Sequence, residues 1–150
     1  MQKFVAAAAG LALLSACSNQ SQMRSASTRP LAAAIAPASS IDPNEAVWHL
    51  RAGLNVAALL CKGRGRVAVA PSYAQMLRRH RGLLAAAYTA EQHRQGSGFD
   101  RHETRTYNRF SNQHNPASFC RAAAGVAKRA AAMDSPTLAR SARGLLGELD

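Results

Sequence analysis

The chain has 150 residues, 47% hydrophobic but only 5% aromatic, with 19 Lys+Arg against 8 Asp+Glu for a formal charge of +11. That length allows one modest domain, and the composition, with no second long apolar run, excludes collagen-like, coiled-coil and polytopic membrane classes. Sixteen of the basic residues are arginine, so attraction to anionic surfaces is expected on physical grounds.

The chain begins Met1-Gln2-Lys3, and residues 4–14 are apolar. A charged start and an apolar core too short to span a bilayer read as a signal peptide. Leu14-Ser15-Ala16-Cys17 follows: an aliphatic residue, two small residues and a cysteine. This run resembles the lipobox of bacterial lipoproteins. The resemblance implies a signal peptide over residues 1–16 and acylation of Cys17 by a diacylglyceryl thioether and an N-acyl chain, more than one chain being what makes attachment stable. Ser18, where an Asp would be the inner-membrane retention signal, implies by the same resemblance the periplasmic face of the outer membrane. The alternative is an ordinary secretory signal cleaved near Ala16, with Cys17 left as a thiol. Residues 18–41 are rich in Ser, Ala, Gln and Pro, with Pro30 and Pro37 breaking any helix between them. Residues 17–41 therefore read as an acylated cysteine on a flexible tether, spanning about 25–30 Å r.m.s. as a coil.

From residue 42 the pattern becomes helical. Asp42-Pro43-Asn44-Glu45 combines a cap acceptor, a proline at the first helical position and a Glu able to reach back to the cap amide. Val47, Leu50, Leu54, Ala57 and Cys61 form one apolar stripe, and Trp48, Ala52, Asn55 and Leu59 a second, which predicts a central helix. Lys62-Gly63-Arg64-Gly65-Arg66 stops it. Pro71-Ser72 opens a predicted helix to about Arg94, with Tyr73, Met76, Leu77, His80, Leu84, Ala87 and Tyr88 on one face. Gln95-Gly96-Ser97-Gly98 breaks the chain, after which Asp100 can cap either a short helix carrying Tyr107 and Phe110 or an ordered loop. Asn115-Pro116 and Ser135-Pro136 each repeat the cap-then-proline signal. The first precedes a face of Phe119, Ala123, Val126, Ala130 and Met133, the second a face of Leu138, Ala142, Leu145 and Leu149. With no sustained β alternation, the prediction for residues 42–150 is all-α: a small bundle of four or five helices.

If Cys17 is acylated, Cys61 and Cys120 remain as a pair in an oxidising compartment, each beside the core face of a helix. A disulfide is the favoured reading, over two buried thiols or a redox site, which lacks the Cys-x-x-Cys spacing. The expected architecture is a bundle stapled by one disulfide.

Catalytic and cofactor motifs are absent. The histidines form no His-Glu-x-x-His and no i, i+4 pair on one helix, so no metal site is expected. There is no nucleophile elbow, Walker loop, CxxCH or dinucleotide fingerprint, so no cofactor and no catalytic residue is assigned. His80, on the apolar stripe, reads as a core histidine bonded across the bundle. Arg51, between the two stripes of the first helix, needs a partner, an internal carboxylate or carbonyl or an external anion. Arg51, Asn55, His80 and Asn108 are candidates for a polar pocket. Lys62, Arg64, Arg66, Arg78 and Arg79, with outward arginines on the last two helices, form a candidate basic surface; a solvated arginine surface without a partner is the alternative. Nucleic acid is disfavoured because no recognition motif is present and the export signal leads away from it.

The segments Leu54-Asn55-Val56-Ala57-Ala58-Leu59-Leu60-Cys61, Tyr73 with Met76-Leu77-Arg78-Arg79-His80, Thr104-Arg105-Thr106-Tyr107-Asn108-Arg109-Phe110 and Phe119-Cys120 resemble small exported helical proteins of alphaproteobacteria, over residues 48–120. That resemblance implies an exported all-helical domain and the Cys61–Cys120 pairing, and carries no active site. The expected function is a non-enzymatic lipoprotein, held to membrane lipid through Cys17, that binds an envelope protein or an anionic envelope polymer. The first alternative is an envelope hydrolase or lyase using Glu91 or Glu103 with His80 or His102. A weaker one is a small-molecule or metal carrier around Arg51, Asn55 and His80.

Overall fold

The computed structural model describes residues 41–62 and 68–150. The predicted signal peptide, Cys17 and the tether as far as residue 40, with Arg64 and Arg66, lie outside them.

The elements are helix α1 (Pro43–Leu60), α2 (Ala70–Arg79), α3 (Arg81–Gln95), a 3-10 turn (Gly96–Gly98), α4 (Phe99–Ser111), α5 (Pro116–Ala132) and α6 (Ser135–Gly147), with no strand among the described residues. The caps of α1 and α5 form as expected, whereas Glu45 turns to Arg94, 3.7 Å away, and not back to the Asp42 amide. The Asp42 carboxylate accepts from the amides of Asn44 and Glu45 at 2.9 and 3.3 Å, and Asn115 accepts from Ser118 at 3.0 Å. At α6 the cap is one residue earlier than predicted: Asp134, not Ser135, accepts from the Thr137 amide at 2.7 Å. A carboxylate is the stronger acceptor and complements the positive helix end.

The first apolar stripe of α1 is buried throughout, while in the second Trp48 and Ala52 are buried, Asn55 is half-buried and Leu59 is exposed; α1 is the centre of the bundle, packing on α6, α3, α4, α2 and α5. Two predicted boundaries change. The helix expected from Pro71 to about Arg94 is interrupted at His80, which has non-helical dihedrals (φ −107°, ψ 22°). The reason lies in packing: α2 lies against α5 whereas α3 lies against α1, and the buried His80 ring bonds to groups of the α5–α6 corner. The segment after the glycine break is a full helix, not a loop. Gly98 is its N-terminal boundary and Asp100 sits in its first turn without a capping bond. Gly96 ends α3 with φ 51°, a left-handed conformation that a side chain would strain.

Cys61, which terminates α1, is disulfide-bonded to Cys120 of α5, with Cα atoms 5.6 Å apart and both residues buried. The core is built largely from alanine together with Leu50, Leu54, Met76, Phe110 and Phe119.

Candidate functional site

The buried polar groups are distributed unevenly. Among the described residues, the buried imidazole and carboxylate side chains are His49, His80 and Glu91. The last of these meets one of the others where α1, α3 and α4 converge. Glu91 continues the apolar phase of Leu84 and Ala87 on α3, which points its carboxylate into the bundle, where it has no exposed surface. Oε1 accepts from Gln95 Nε2 at 3.0 Å and faces His102 Nε2 at 3.0 Å, while Oε2 accepts from Arg94. His102 Nε2 lies 2.8 Å from His49 Nε2, the two imidazoles being stacked 5.0 Å apart. Arg94 also reaches Asp42 at 3.3 Å and Glu45 at 3.7 Å, tying the start of α1 to the end of α3. Glu45 therefore faces Arg94.

Burial, and then the charge of His102, depresses the His49 pKa to about 4; Arg109 and Arg94 act in the same direction and Glu91 in the opposite one. At neutral pH His49 is uncharged. Its Nδ1 is buried without a partner.

The proposed polar pocket divides. His80, fully buried, places Nε2 2.9 Å from the Ala130 carbonyl and Nδ1 2.9 Å from the Ser135 hydroxyl. A carbonyl only accepts, so Nε2 is the donor, and His80 is a core histidine bonded across the bundle. Arg51 has other partners. Its guanidinium donates to the Tyr107 hydroxyl and lies 4.6 Å from the centre of the Trp48 ring. A phenol oxygen and an indole face thus serve where a carboxylate or carbonyl was expected. Asn55 borders a shallow surface hollow beside Tyr107 and Leu59, and Asn108 is exposed. Of the carboxylates considered for catalysis, Glu103 accepts from the Trp48 indole at 2.7 Å. Glu91 does meet His102, although it has no surface for a substrate to reach.

The basic residues are more open. Lys62, Arg78, Arg79, Arg81, Arg121, Lys128, Arg140 and Arg143 are exposed. Arg79 and Arg140 converge near Asp134, whose carboxyl is held below its usual range first by hydrogen bonds from Thr137 and then by these two charges.

No single sequence signal revealed the His49–Glu91–His102 cluster, because its members come from three helices and share no short spacing. A weaker signal existed: Glu91 is a carboxylate on an apolar helix face, and such a group needs a partner. No family model, curated protein or solved structure matches the chain. Among the described residues, no helix is long and apolar enough to cross a membrane.

Proposed function

We propose that the chain is a non-enzymatic lipoprotein of the bacterial envelope, held to the membrane by acylated Cys17, whose helical domain binds anionic envelope surfaces through its arginines. The observation that carries this reading is the uneven use of charge. All eight carboxylates of the sequence lie within residues 42–150. Seven are engaged internally: Asp42 and Asp134 cap helices, Glu45 and Glu91 face Arg94, Glu103 holds Trp48, Glu148 pairs with Arg129 and Asp150 with Arg109. Arg78, Arg79 and Arg81, at the α2–α3 corner, have no ion-pair partner among the described residues. A field of unneutralised guanidinium groups on a tethered domain suits headgroups or acidic polymers close to the anchor.

Lipidation is tested by labelled palmitate. The wild-type chain is expected to incorporate label in a bacterial host and Cys17→Ser to incorporate none; an unlabelled wild-type chain removes the anchor. Surface binding is tested with the Cys17→Ser chain and phosphatidylglycerol vesicles. A basic side chain near such a surface contributes about 1 kcal/mol, so replacing Arg78 and Arg79 together by Gln should weaken binding about 30-fold at low salt. Added salt should weaken the wild-type chain similarly. Equal binding to neutral vesicles, or binding that ignores salt, would eliminate the electrostatic reading.

A further inference from the structure

The convergence of His49, Glu91 and His102 poses a problem of protons. Two ring nitrogens 2.8 Å apart need one proton between them, and His102 Nε2 also faces a carboxylate oxygen at 3.0 Å. Suppose His102 Nε2 carries the proton. It must then be shared between His49 Nε2 and Glu91 Oε1, and His49 carries its own proton on Nδ1, which has no acceptor. Suppose instead that His49 Nε2 donates. The lone pair of His102 Nε2 then accepts that proton while also facing the Glu91 carboxylate at 3.0 Å, acceptor against acceptor, and His49 Nδ1 is a buried lone pair without a donor. Neither arrangement satisfies the buried groups, and an unpaired buried polar atom is costly.

A cation resolves the convergence because it accepts all three lone pairs. We propose that His49 Nε2, Glu91 Oε1 and His102 Nε2 form a binding site for a divalent transition-metal ion of the zinc class, with the remaining position open to water.

The donor spacing supports it. Around an ion with bonds near 2.1 Å, neighbouring donor atoms lie about 3.0–3.4 Å apart, close to the 2.8 and 3.0 Å seen here. All three ligand atoms lie within 4.8 Å of one another. The donor set selects the class: two imidazoles and one carboxylate favour zinc, cobalt, nickel or iron over calcium and magnesium, which prefer all-oxygen shells. The charge balance is also favourable. Glu91, Asp42 and Glu45 surround the single guanidinium of Arg94, leaving two negative charges in excess beside the site, and Arg109 is neutralised by Asp150.

Further groups orient the ligands. Arg94 holds the oxygen of Glu91 that the ion leaves free, which fixes the carboxylate as outer partners do in metal sites. A proton on His49 Nδ1, which leaves the Nε2 lone pair for the ion, is already required by one of the metal-free arrangements, so the ion adds no new unpaired group. His102, whose side chain is 14% exposed, provides the edge through which an ion and a water enter. The site is independent of the arginine surface, so either reading can fail alone.

Cobalt(II) is the probe, added to untagged, chelator-stripped Cys17→Ser chain. The expected result is one equivalent bound per chain, visible as ligand-field absorption and as a rise in Tm. His102→Gln, at the most exposed ligand, should fold with unchanged far-UV circular dichroism and lose both signals. Glu91→Gln should do likewise. Arg94→Gln should retain stoichiometric binding but weaken it about 10- to 100-fold. His93→Gln and His114→Gln, outside the cluster, should bind as the wild type does. Absence of a one-equivalent site, or one that survives His102→Gln, overturns the proposal.

Discussion

Replacing Cys61 and Cys120 together by alanine is expected to lower the unfolding free energy by about 4 kcal/mol, the chain-entropy value for a closed loop of this size, given the separation of 59 residues between the cysteines. The effect is large because a domain of this length has only about 5–15 kcal/mol in total. Alanines such as Ala46, Ala52, Ala57, Ala123, Ala127 and Ala130 fill much of the core, and each removes little area from water on folding. The bond also joins two helices, α1 and α5, that touch less extensively than α1 does with α6, α3 or α4. Urea denaturation of the double variant should show a lower midpoint with unchanged native helicity, and thermal unfolding should fall by about 15–25 °C. A loss below about 1 kcal/mol would mean that the bond constrains the unfolded chain far less than loop entropy requires.

How much of this was legible in the sequence depends on the range over which the relevant physics acts. The starts of α1, α5 and α6 were readable because caps and N-terminal prolines act within four residues. Buried faces were readable too: the predicted stripe of α6, Leu138, Ala142, Leu145 and Leu149, is entirely buried. The interruption at His80 was not, because the hydrogen-bond ladder runs through it: the His80 amide donates to Met76 and its carbonyl accepts from Leu84. What divides α2 from α3 is the divergence of their neighbours, which no local pattern contains. The candidate site follows the same rule. His80 was read correctly as a core histidine because its apolar face was evident. Glu91 and His102 were named only as alternative catalytic groups, and their convergence with His49 escaped because the chemistry arises from three helices meeting, although the place of Glu91 in the phase of Leu84 and Ala87 already directed it inward. Tyr88, predicted on the buried face, is 38% exposed but covers Trp48, its ring 5.1 Å away. An aromatic side chain can cover a neighbour's surface while keeping much of its own in water.

Phe110→Ala is expected to cost about 3–5 kcal/mol, since Phe110 is fully buried and its removal leaves a cavity between α1, α4 and α5. Its ring is fitted to a notch in α1. A Cβ built on Gly53 would lie 3.1 Å from two Phe110 ring atoms and 2.9 Å from Leu149 Cδ1. Glycine inside a helix is unfavourable by about 1 kcal/mol relative to alanine, so its presence at the middle of the central helix needs the close approach of that ring as compensation. The consequence is a change of sign. In the wild-type chain Gly53→Ala should destabilise by about 1 kcal/mol, because overpacking against a rigid ring exceeds the gain in helix propensity. With Phe110→Ala already present, the ring is gone, the Leu149 methyl is the flexible end of a side chain and can yield, and the added methyl occupies part of the cavity. Gly53→Ala should there stabilise by about 1 kcal/mol, giving a coupling of about 2 kcal/mol between residues in contact. Urea midpoints of the four chains measure this directly. The same sign in both backgrounds would show that the ring does not determine the glycine at position 53, and that the approach of α1 to α4 is set by other contacts.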